Sequence, residues 1–160
     1  LPIRRRFDQY VCERPNVLYP GITSPLADKK PFDIDMVVIR ENTEGEYANV
    51  GGFQYMGFPE EVGIQTGVFT RMGCERVIRY AFELARRRGK KRHLTSVTKS
   101  NAQGYGMLVW DRAFERVSKD FLQVRFFYLD FFSVFQKILE KDLKAIRIFL
   151  ACFKRSLKKI

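Results

Sequence analysis

Two short strand-like runs, the strongly apolar residues 33–39 (DIDMVVI) and residues 93–98 (HLTSVT), stand on either side of a helical pattern, and this alternation restricts the chain more than any other feature. β-Branched residues dominate both runs, as strands require. Between them Val77, Ile78, Ala81, Phe82 and Leu84 recur at helical spacing. Thr70 is placed to cap that helix and Gly89 to end it near Arg88. A second helix is expected over about residues 102–121, with Gly104 and Gly106 weakening its start, and a third strand over 124–129. Strands that alternate with helices predict an α/β fold, with parallel pairing between at least some strands.

The flanking segments are less regular. Residues 3–11 read as a short basic helix stopped before Pro15. Residues 15–32 contain four of the six prolines and read as an extended loop. Glycines and aromatics over 41–69 fit short strands or hairpins around Gly51-Gly52 and from Val62 to Phe69. From Phe132 onward Phe135, Leu139, Leu143, Ile146, Leu150, Phe153, Leu157 and Ile160 step by three or four, which predicts a long amphipathic helix with a basic outer face.

Charge has to be read segment by segment. The 160 residues carry a formal net charge of +11. Residues 131–160 hold eight Lys/Arg and two acids, so the tail supplies +6 and the other 130 residues only +5. The main body is therefore not expected to bind nucleic acid. Cys12, Cys74 and Cys152 show no metal-binding spacing and read as reduced thiols of a cytoplasmic protein. No apolar run is long enough to span a membrane, and no apolar stretch follows Arg4-Arg5-Arg6 as a signal peptide would need. Contact of the basic tail with an anionic membrane surface is a weaker alternative to a solvated helix face.

Three segments offer chemistry. Arg4 and Arg14 lie ten residues apart, and guanidinium groups grip carboxylates bidentately, although two arginines alone are an ordinary surface feature. Arg40-Glu41-Asn42-Thr43-Glu44-Gly45-Glu46-Tyr47 follows an apolar strand directly, the position where α/β proteins place ligands. Within it Arg40 offers a third carboxylate contact and Tyr47 a proton donor. Lys99 leaves the strand of residues 93–98. A lysine crowded by cations and partly dehydrated loses proton affinity and can act as a base. His93 has no second histidine with which to share a metal and reads as a strand residue.

Taken in order, these segments resemble the isopropylmalate, isocitrate and tartrate dehydrogenase family. IRRRFDQYVCERP is similar to its substrate-binding segment, with Asp8 between Arg4 and Arg14. RENTEGEY followed by Val50-Gly51-Gly52 resembles the tartrate/D-malate branch in particular. TSVTKSNAQ resembles the family's lysine strand, and Tyr128-Leu129-Asp130 a metal-ligand strand. The resemblance covers residues 1–130 and implies the central part of an isopropylmalate-dehydrogenase-like fold, a mixed sheet flanked by helices.

It also implies roles. Arg4, Arg14 and Arg40 would bind the carboxylates of a malate- or tartrate-like 2-hydroxyacid. Lys99 would help remove the hydroxyl proton as hydride passes to NAD, and Asn101 would lie near the nicotinamide. Asp130 would contribute to a Mg²⁺ or Mn²⁺ site that stabilises the enolate left by decarboxylation. Tyr47 would protonate that enolate. Residues 48–72 would form an arm clasped between the subunits of a homodimer.

Departures from the family shape further expectations. Cys12-Glu13 replaces the usual Asn-Leu, which sets an acid beside Arg14 and is expected to weaken its grip. Neither the family's glycine-rich opening nor its further aspartate ligands and cofactor loop is found, so the chain is expected not to complete the reaction by itself. Residues 131–160 match nothing in the family and read either as a native helix or as the product of a shifted frame. Two non-catalytic readings stand beside the enzyme: a dimerisation module that pairs with a full-length relative, and a basic surface binder acting through the tail.

Overall fold

The computed structural model describes residues 2–89, 92–130 and 148–151. It contains three helices, α1 (Pro2–Arg6), α2 (Arg71–Arg88) and α3 (Gly106–Ser118). Its seven strands are β1 (Val11–Val17), β2 (Asp35–Glu41), β3 (Gly45–Gln54), β4 (Val62–Val68), β5 (His93–Thr98), β6 (Arg125–Asp130) and β7 (Ile148–Ala151). Five strands form one sheet in the order β1-β2-β7-β5-β6, and β3 and β4 form a separate hairpin. β1 runs antiparallel to β2, whereas β2, β7, β5 and β6 are mutually parallel. The parallel strands are what the alternation predicts, and the mixed sheet is what the resemblance implies.

Both long helices cover the same face of the sheet. Thr70 accepts a hydrogen bond from the Gly73 amide at 3.0 Å as N-cap of α2, and Gly89 closes the helix in the left-handed conformation. Val77, Ile78, Ala81 and Phe82 of α2 meet Trp110, Ala113 and Phe114 of α3 over Val37, Ile39 and Leu94. The aromatic part of this core is dense: Phe82 packs on Phe114 and Phe121 with ring centres 5.1 Å apart in both pairs. Trp110, fully buried, donates its indole N–H to Ser96 Oγ at 3.1 Å.

Four expectations are corrected. The basic helix ends at Arg6, and Val11–Val17 is a strand rather than helix or loop. Pro15 is tolerated there because β1 is an edge strand, so its missing N–H breaks no second ladder. α3 starts at Gly106 because the Ala102 and Gln103 amides both donate to the Lys99 carbonyl in a turn. In the tail, Ile148–Ala151 is a strand between β2 and β5, not helix. A continuous apolar run suits a central parallel strand as well as it suits a helix face. The rest of the expected tail helix lies outside the described residues.

Candidate active site: an arginine cluster at the carboxyl edge of the sheet

Strand direction gathers the singled-out residues along one edge. Arg40 and Glu41 end β2, Lys99 follows β5, and Asp130 ends β6. The register sets them level, with Ile39 and Ser96 both opposite Leu150 and Thr98 opposite Asp130. β1 begins at the same edge, since Cys12 pairs with Arg40 and Val11 with Glu41. Ile39 points into the core under α2, so Arg40, its neighbour in the strand, projects from the opposite face.

On that face the guanidinium groups converge. Arg40 is only 6% exposed. It donates to the Tyr47 hydroxyl at 2.6 Å and to Asn42 Oδ1. Arg4, from α1, donates to the same Asn42 oxygen at 2.6 Å. Both guanidiniums also lie over the Tyr47 ring, 5.1 Å (Arg4) and 4.9 Å (Arg40) from its centre. Arg14 joins from β1, where its Nε–H donates to Cys12 Sγ at 3.2 Å. The Cys12 thiol is raised by burial, but Arg14 and Arg40 outweigh that and hold it below its ordinary value of 9.0. Among the described residues none of the three arginines forms an ion pair, and Arg40 Nε has no acceptor.

Neighbouring acids are directed elsewhere. Glu13 accepts the Tyr80 hydroxyl bond at 2.6 Å on the helical face, so strand alternation keeps its carboxylate off the arginine face. Glu41 turns back onto the Thr43 and Glu44 amides at 2.9 and 2.7 Å. Glu44 accepts from the Thr70 amide and hydroxyl at the start of α2, where the helix dipole favours a negative charge. Gly73 makes this possible, because a Cβ there would come within 2.5 Å of the Glu44 carboxylate. Arg76 pairs with Asp8 and donates to Thr43 Oγ1 at 2.9 Å, tying α1, β2 and α2 together.

Sequence reasoning missed two members of this constellation. Asn42 is the hub. Its Oδ1 takes bonds from Arg4 and Arg40, its Nδ2 donates to the Gln9 carbonyl, and its amide donates to the Tyr10 carbonyl. Its place between Arg40 and Tyr47 was the only available signal. Cys12 is the other, visible only once β1 is paired with β2. Lys99 is partly buried and Asn101 exposed on the turn after β5. Only the backbone of Asp130 is described. Among the described residues no group of three His, Cys, Asp or Glu side chains is arranged to hold a metal. These residues do not by themselves fit a divalent cation site.

A profile of the isocitrate/isopropylmalate dehydrogenase family matches residues 1–142. The chain belongs to this family. Over 124 residues it is 52% identical to a probable tartrate dehydrogenase/decarboxylase of Agrobacterium vitis, covering 78% of this chain and 34% of that protein. Over 125 residues it is 51% identical to a decarboxylating D-malate dehydrogenase of Escherichia coli, with the same coverage of each. Isocitrate dehydrogenase from Methylococcus capsulatus superposes with a TM-score of 0.77 at 25% identity, covering 93% of this chain and 42% of that one. The fold is thus the isocitrate/isopropylmalate dehydrogenase fold, of which this chain spans about a third of the length of its curated relatives.

Proposed function

We propose that this chain carries the carboxylate-binding part of an NAD-dependent oxidative decarboxylase acting on a malate- or tartrate-like 2-hydroxyacid. The observation that carries this reading is Arg40, a buried guanidinium with only neutral hydrogen-bond partners, flanked by Arg4 and Arg14. Gathering three cations without an anion is costly, since two unit charges about 4 Å apart repel by about 4 kcal/mol at an effective dielectric of 20. A doubly charged acid seated among them relieves that repulsion and gains charge-assisted hydrogen bonds. The named activities of the Agrobacterium and Escherichia relatives favour tartrate and D-malate over bulkier acids.

The residues divide the work. Arg4, Arg14 and Arg40 bind and orient the two carboxylates. Tyr47, whose hydroxyl accepts from Arg40, would deliver a proton to the carbon left by departing carbon dioxide. Lys99 would act as base at the 2-hydroxyl, and Asn101 would contact the nicotinamide. Asp130 would contribute to a Mg²⁺ or Mn²⁺ site that the described residues do not complete. The bound cation would supply charge stabilisation at the C2 oxygen. The reading also places the protein in the cytoplasm, supported by Cys12 and Cys74 as free thiols. Among the described residues no helix is long and apolar enough to cross a membrane.

A second copy of the chain is the proposed partner. The β3–β4 hairpin exposes Val50, Phe53, Tyr55, Met56, Phe58 and Ile64, each at least 46% accessible. Such an apolar surface on a projecting hairpin is unusual for a monomer.

The decisive experiment is calorimetric titration of the chain with D-malate and meso-tartrate, against the uncharged dimethyl ester of malate. Both diacids should bind and the ester should not. Arg40→Gln should weaken diacid binding at least about tenfold, the loss of one charged hydrogen bond. Lys99→Ala should leave it nearly unchanged. Equal binding of acid and ester, or an unaffected Arg40→Gln variant, would refute the assignment.

A further inference from the structure

Cys12 stands directly across the β1–β2 ladder from Arg40, and Arg14 lies two residues on along the same face. Its sulfur accepts the Arg14 Nε–H bond at 3.2 Å. Arg40, more than nine-tenths buried, faces it from the partner strand with Nε unpaired and no carboxylate to neutralise it. The nearest acid in sequence, Glu13, is turned to Tyr80 on the far side of the sheet. The Cys12 side chain is only partly buried and so remains reachable.

Cys74 makes the contrast. It is sealed on the buried face of α2, and burial first, then Glu44, Glu41 and Glu75, push its thiol up to about 12. The Cys12 thiol is instead lowered, with the two guanidiniums overcoming its burial. A thiol beside cations gives up its proton more readily than an isolated thiol, and the thiolate fraction is the nucleophile. The same cations draw in anionic reagents.

We propose that Cys12 is a covalent modification site selective for small carbon electrophiles that carry a carboxylate, the class that includes α,β-unsaturated diacids. The carboxylate of the reagent seats on Arg14 and Arg40 while sulfur attacks the neighbouring carbon. With an unsaturated diacid, a C–S bond forms, the alkene π bond is consumed, and water returns a proton to the adjacent carbon. With a haloacetate, the C–S bond forms as the carbon–halogen bond breaks and halide leaves. Neither step changes the oxidation level of the protein or needs a further reactant. The adduct sets a permanent carboxylate against the arginines and blocks them to a diffusing acid. This inference rests on the proposed carboxylate-binding role of those arginines.

The test uses the whole chain carrying Cys152→Ser, with Cys74 as an internal reporter of unfolding. Peptide mass spectrometry follows the rate of Cys12 alkylation by iodoacetate and by neutral iodoacetamide. Ordinary thiols react faster with the neutral reagent. In the folded chain the preference should shift toward iodoacetate by about tenfold or more relative to the chain unfolded in guanidinium, the worth of one charge-assisted contact. Arg14→Gln should remove most of that shift while Cys74 stays unlabelled. An unchanged preference on folding, or a shift that survives Arg14→Gln, would overturn the proposal. D-Malate separates it from the functional reading. A shifted preference without protection by malate supports the Cys12 site and counts against malate as the acid. Protection with an ordinary preference does the reverse.

Discussion

At the scale of single residues, the arginine face and the helical side treat charge in opposite ways. Arg4, Arg14 and Arg40 meet only neutral partners, while on the helical side Arg76, Arg79 and Arg116 are each matched with an acid. Cys74 belongs to the second environment and gives a pH signature. Its thiol is raised in the folded chain to about 12 from an ordinary 9.0. The folded state therefore holds this proton more tightly than the unfolded one. That stabilisation is complete below pH 9 and is lost as the pH rises toward 12. Urea unfolding of Cys74→Ala should show a shallower fall in stability over pH 9–11 than the parent chain. Parallel slopes would mean that the thiol does not sense its burial. Tyr47, Arg40 and Lys99 could be named from sequence because their residue types advertise chemistry. Asn42 could not, since an amide between charged neighbours has no distinctive pattern until four groups are seen to converge on it.

At the scale of elements, α2 was the most legible part. Its cap, its apolar spacing and its terminal glycine all point to one answer, and the helix runs from Arg71 to Arg88. β5 was equally plain. β1 was hidden because Glu13, Arg14 and Pro15 conceal an edge strand, whose single ladder tolerates what a central strand would not. The start of α2 depends on a feature no periodicity reveals: Glu44, from the end of the RENTEGEY turn, caps Thr70 through both its amide and its hydroxyl. Gly73 leaves room for that carboxylate. Gly73→Ala should therefore destabilise the chain by about 1 kcal/mol, despite alanine's better helix propensity, because displacing Glu44 strips an exposed helix start of its acceptor. Thr70→Ala should cost about 1 kcal/mol by itself. The two losses should fall short of additivity in the double variant, since both act through the same cap. Chemical denaturation of the four proteins decides it, and a stabilising Gly73→Ala would show that Glu44 is free to move aside.

At the scale of the whole molecule, the hairpin and the sheet follow different rules. The sheet buries Val37, Ile39 and Leu94 beneath α2 and α3, whereas the hairpin turns most of its aromatic and aliphatic side chains to solvent. Backbone approach across β3 and β4 is very close, since a Cβ on Gly51 would sit 2.1 Å from the Ile64 carbonyl oxygen. The glycines of this region, which from sequence fit short strands or hairpins, thus build a tightly paired ribbon. An isolated two-stranded ribbon is at best marginal in water, so this one needs cover, and the proposed second copy supplies it. Phe53 and Ile64 are 64% and 55% exposed. Ile64→Lys or Phe53→Glu removes apolar contact area and places a buried charge in any such interface, while costing the isolated chain little. Light scattering should find the parent chain as a dimer and both variants as monomers, with the near-ultraviolet signal of buried Trp110 unchanged. A monomeric parent chain would remove the hairpin as an interface. A dimeric pair of variants would place the contact on another surface. An altered Trp110 signal would instead mean that the substitutions reach the core through the joint at Gly45 and Val68, where the hairpin meets the rest of the molecule.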